Sequence, residues 1–117
     1  MKYMLLIHMA EDAMTEAERE ACYQESARLA NDLHAGGRFV SAHPLHPAAT
    51  ATKVQHRNGK PVVTDGPFAE TREHLGGYFL IDVPDIDEAV RVAARIPAAR
   101  KGTVEVRPVL EDDGLPA

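Results

Sequence analysis

The chain has 117 residues, 44 % hydrophobic and 26 % charged, which is enough for one globular domain with a modest core and too few for two. A net charge of −5 argues against the clustered Lys and Arg surface that neutralises nucleic-acid phosphates. No apolar run approaches the ~20 residues that span a bilayer and no cleavable leader pattern opens the chain, so neither a membrane nor a nucleic acid is an expected partner and the cytoplasm is the expected location.

Lys2 to Met9 (KYMLLIHM) is a nearly continuous apolar run, the pattern of a central strand covered on both faces, with His8 near its end. A helix is predicted next. Thr15 and Glu18 form a T-x-x-E capping box, Glu11, Asp12, Glu16 and Glu18 suit the positive end of its dipole, and Gly36-Gly37 stop it. Cys22, Ser26, Leu29, Ala30 and Leu33 recur on its inner stripe, which makes Cys22 a core thiol rather than a nucleophile. As the single cysteine, it forms no internal disulfide.

Arg38 to Leu45 reads as a second strand, ended by His43-Pro44-Leu45-His46-Pro47, whose prolines each deny a ladder donor. Thr52 to Arg57 and Lys60 to Thr64 flank Asn58-Gly59, a strong two-residue hairpin signal. That hairpin delivers Asp65 to a constrained segment, DGPFAETRE, in which Gly66 tolerates unusual backbone angles and Pro67 fixes its own. Gly77 to Val83 is another apolar strand. Asp85 and Glu88 then cap a helix with Ile86, Ala89, Val90, Ala93 and Ile96 at helical spacing, stopped by Pro97. Thr103 to Val109 alternates as a last strand, and residues 111 to 117 read as a frayed tail after a domain spanning residues 1 to 110.

The order β-α-β, hairpin, β-α-β is two split βαβ halves with an inserted hairpin, an α+β ferredoxin-like plan with two helices on one face of an antiparallel sheet. The first strand and the strand after the motif lie centrally in that plan, and they are the two most apolar runs. Two helices cover only one sheet face, so the other needs a cover. A second copy packed sheet to sheet would supply it, which makes a homodimer the expected state.

DGPFAETREHLGGYFLIDVPDIDEAV, with KYMLLIH at the start and GTVEVRPV near the end, resembles the DGPF subfamily of YCII-related proteins from Met1 to about Val109. The resemblance implies a dimeric α+β barrel and no defined activity. Some members are encoded beside extracytoplasmic-function sigma factors, which implies a regulatory setting. The broader group has a proposed His-Asp dyad with its His in the first helix. Here Ser26 and Arg28 occupy that region and no His occurs in that helix before His34, so only Asp65 matches, by its place in DGPF. Arg72 stands where members commonly carry Lys, and His8 where Tyr is common.

Asp65 and His8 are the candidate acid/base pair, since a carboxylate near a neutral imidazole can exchange protons with a substrate. Against this, Asp before Gly-Pro is an ordinary turn former. Arg72, with Glu70, His43 and Tyr78, is the candidate ligand-binding set, a guanidinium being suited to an anion. His43 and His46, three apart, fit no metal spacing, so no metal or other cofactor is expected. His8 and His43 are the better histidine pair if their strands are neighbours. Two functions remain open: a homodimeric small-molecule-binding or regulatory protein, and a lyase- or hydrolase-like enzyme using Asp65 and a histidine. No nucleophile elbow, phosphate-binding glycine loop or dinucleotide fingerprint sharpens the second.

Overall fold

The structure, a computed structural model, describes residues 1–68 and 72–116. Strands β1 (Lys2–Met9), β2 (Phe39–Pro44), β5 (His74–Asp82) and β6 (Thr103–Pro108) form one antiparallel sheet in the order β2-β5-β1-β6. Helices α1 (Glu16–Ala35) and α2 (Ile86–Arg95) supply the crossovers, giving the ferredoxin-like plan that the element order predicts. Among the described residues β3 (Thr52–Arg57) and β4 (Lys60–Asp65) pair only with each other, as a separate hairpin.

Local chemistry sets the element ends. Thr15 and Glu18 close the capping box in both directions, at 3.0 and 3.1 Å. Gly37, at φ 73°, reverses the chain after α1, so that the Arg38 amide returns to the Leu33 carbonyl at 2.9 Å. Asn58 and Gly59 both take positive φ, as a tight two-residue hairpin turn requires. Close backbone approach explains two further glycines. A Cβ on Gly77 would meet the His43 carbonyl oxygen at 3.0 Å, and one on Gly102 would collide with the His8 carbonyl oxygen. These positions let β2 close on β5, and let the chain entering β6 close on the end of β1.

Alternation assigns the sheet faces. Tyr3, Leu5, Phe79 and Ile81 are buried beneath the helices, with Ile7, Met9, Phe39, Ala42, Val104 and Val106 packed against them. The opposite set, including Met4, Leu6, Tyr78 and Leu80, is only half-buried, and no helix among the described residues covers it. The nearly continuous hydrophobicity of β1 therefore exceeds what one chain buries.

Two sequence expectations are corrected here. In α2 the inward stripe is Ala89, Val92, Ala93 and Ile96, while Ile86 and Val90 are about half exposed. The helix is turned toward the stripe containing Val92, which joins Ile96 in the core. Glu11, placed by its sequence position among the dipole-facing acids, instead accepts the Ala48 amide at 2.8 Å, tying the β1–α1 connection to the 3₁₀ turn Ala48–Thr50. Glu88 also differs in detail: its amide is capped by Asp85, but its carboxylate holds Arg38 at 2.7 Å and Arg91 at 3.0 Å.

Candidate functional site

The sequence candidates are distributed over separate parts of the fold. His8 sits on the helix-free face, where Nε2 lies 3.2 Å from Glu105 Oε1. The sheet register explains this partner, because His8 opposes Thr103 and Glu105 lies two residues further along β6 on the same face. Asp65 ends β4, exposed, paired through its backbone with Thr52, and its carboxylate has no hydrogen-bond or ion-pair partner among the described residues. His8 and Asp65 are therefore not joined. The turn after Asp65 is held instead by backbone: Gly66 adopts φ 105°, and its amide reaches the Ala51 carbonyl at 2.7 Å.

Arg72 is exposed and makes no ion pair among the described residues, while Glu70 lies outside them. His43 and Tyr78 oppose each other across β2 and β5, with ring centroids 5.9 Å apart, and the Tyr78 hydroxyl lies 3.3 Å from Ser41 Oγ. The expected neighbourhood of His8 and His43 is corrected by the strand order, because β5 separates β1 from β2. Among the described residues, no group of three or more His, Cys, Asp or Glu is placed to hold a metal ion.

A concave feature with a chiefly apolar wall lies elsewhere, beneath the N-terminal half of α1. A cavity of about 340 Å³ opens between that helix, the ends of β1 and β5, and the segment following β2. Its size follows from side-chain volume. The cavity-facing stripe of α1 carries Cys22, Ser26 and Ala30, whereas the larger Leu29 and Leu33 are buried toward the other end. Small side chains over Ile7, Met9 and Ala42 do not fill the space.

The cavity wall is chiefly apolar, with Arg19, Glu11, His46 and His74 among its polar members. His43 and Tyr78 also border it, but the register turns their side chains to the helix-free face, away from α1. Burial pushes the Cys22 thiol above its ordinary pKa, so it is held protonated as a neutral lining group. The sequence contained the signal for this site, namely three small residues on the inner stripe, but that signal reads equally well as close helix–sheet packing.

Fold and cavity together define a small α+β domain of the ferredoxin-like class with one covered sheet face and a pocket under its first helix. The chain belongs to the YCII-related family, whose domain matches residues 1–112. It is also similar to an uncharacterized protein of Rhizobium meliloti (strain 1021), with 36 % identity over 118 residues covering 93 % of this chain and 92 % of the relative. Among the described residues no helix is long and apolar enough to cross a membrane.

Proposed function

We propose that this protein is a homodimeric small-molecule-binding protein of the DGPF branch, and that its ligand occupies the cavity beneath α1. The cavity carries the reading: its volume of about 340 Å³ falls within the range of small-ligand pockets, and its wall is apolar with a few polar groups at one side. Ile7, Met9 and Ala42, on the helix-covered face, are its proposed contacts from the sheet. A regulatory role beside an extracytoplasmic-function sigma factor would use the same binding event as its input.

The dimer is supported by shape and by the bare face. The radius of gyration is 16.0 Å and the thinnest dimension 19 Å, against the ~13 Å radius expected of a compact chain of this length. A half-buried apolar band of Met4, Leu6, Tyr78 and Leu80 crosses the helix-free face, and the hairpin exposes the opposed pair Val54 and Val63. A second copy covering both would also give Asp65 and Arg72 partners that they lack among the described residues.

The enzyme alternative requires a proton relay between Asp65 and a histidine, and His8 is engaged by Glu105 instead. A thermal-shift screen against a metabolite set, run beside sedimentation equilibrium, tests the proposal. The expected outcome is a dimer at micromolar concentration and a ligand-dependent rise in midpoint that Ser26→Leu abolishes by filling the cavity. A monomer throughout would contradict the dimer, and a midpoint rise unaffected by Ser26→Leu would contradict the site.

A further inference from the structure

We infer that the cavity beneath α1 takes a small organic acid, with an apolar body about the size of a fused two-ring aromatic in the interior and its carboxylate beside Arg19. This deepens the ligand-binding reading above and rests on it. Volume sets the body: about 340 Å³ is more than twice the ~150 Å³ of an apolar cavity that accepts one benzene.

The polar side sets the head group. Arg19 makes one side-chain hydrogen bond, to the Glu11 backbone carbonyl at 3.2 Å, and no carboxylate lies within ion-pair reach among the described residues. A guanidinium has five N–H donors in a planar fork, so most of them are left for a ligand. Glu11, the one carboxylate of the wall among the described residues, already accepts the Ala48 amide through Oε1. His74, directly opposite Met9 on the helix-covered face, and His46 add imidazoles that can donate. Arg19 therefore leaves donors in excess, since the neutral imidazoles and the hydroxyls of the wall each accept as well as donate. A carboxylate answers that imbalance better than an alcohol, and an ammonium would worsen it.

Nearby acids do not cancel this preference. Glu18 is committed to Lys101 at 2.7 Å and to the Thr15 cap, and neither Glu16 nor Glu18 lines the cavity. Cys22, in the wall, provides a reporter for occupancy that is independent of Arg19.

The test uses three probes sharing one ring system: 2-naphthoate, 2-naphthalenemethanol and 2-naphthylmethylammonium. Each is titrated against the full chain by ligand-observed NMR, with the rate of Cys22 alkylation by N-ethylmaleimide as second readout. The expected result is slower alkylation with 2-naphthoate bound and an affinity about tenfold above that of the alcohol, as one charge-assisted contact provides, with the ammonium weakest. Arg19→Gln, on an exposed helix position where Gln is well tolerated, should remove the preference for the acid and leave alcohol binding unchanged. Equal affinity for the three probes, or equal weakening of all by Arg19→Gln, would overturn the acid while leaving the cavity reading intact. Failure of every probe to bind and to protect Cys22 would overturn both.

Discussion

The two ends of α1 cover the same sheet in different ways. Toward its C-terminus, Leu29 and Leu33 are buried in a core that includes Ile81, Val83, Val92 and Ile96, while toward its N-terminus Cys22 and Ser26 face a cavity. Both ends are held by ion pairs along the helix. Lys101 meets Glu18, Arg100 meets Glu25 in two contacts of 3.1 Å, and Arg95 meets Asp32 at 2.9 Å. What differs is side-chain volume on the inner stripe, so one end of the layer is a stability element and the other has room for a ligand.

Substitutions at the closed end should have the largest effects. Leu33→Ala, at a fully buried position, is expected to cost about 2–5 kcal/mol in urea denaturation by lost burial and a residual cavity. A cost well below that would place slack where dense packing is observed. Gly102→Ala should rank next at about 1–3 kcal/mol, because the new methyl must displace the His8 carbonyl where β6 begins. At the open end the expected sign reverses: Ser26→Leu should be neutral or stabilising by up to about 1 kcal/mol, since it fills space instead of overpacking. Marked destabilisation by Ser26→Leu would erase the distinction between the ends.

The smallest effect is electrostatic. The Lys101 ammonium and the Thr15 amide hold the Glu18 carboxyl at about 2, down from 4.5, and Arg100 lowers Glu25. A carboxylate with a depressed folded-state pKa stabilises the fold above its unfolded value and loses that contribution as pH falls through the folded one. Thermal midpoints should therefore decline between about pH 4.5 and 2. Glu18→Gln should lower the midpoint at neutral pH, modestly because the pair is exposed, and flatten the acid slope. An unchanged slope in that variant would remove Glu18 from the acid response.

Much of the fold was legible because its determinants are local. The capping box at Thr15 and Glu18, the Gly36-Gly37 stop and the Asn58-Gly59 turn each act within a few residues, and the apolar runs in β1 and β5 mark the two central strands. The stripe of α2 was harder to read, since Ile86 and Val90 keep helical spacing as well as Ala89, Ala93 and Ile96 do. Only packing that includes Val92 selects between them. Site pairings are non-local and were least legible. His8 takes Glu105, 97 residues away, because β6 lies beside β1. Asp65, conspicuous in the sequence, ends exposed, whereas Cys22, Ser26 and Arg19 border the apolar cavity from within an ordinary-looking helix.

The four methionines provide the most direct test of the account. Met9 and Met14 line the cavity, Met4 lies on the bare face, and Met1 is exposed at the chain start. In a ¹³C-methyl-methionine spectrum titrated with 2-naphthoate, the Met9 and Met14 methyls should shift together with one saturation curve while Met4 and Met1 stay in place. Movement of Met4 without Met9 and Met14 would put the ligand on the bare sheet face and contradict a binding cavity beneath α1.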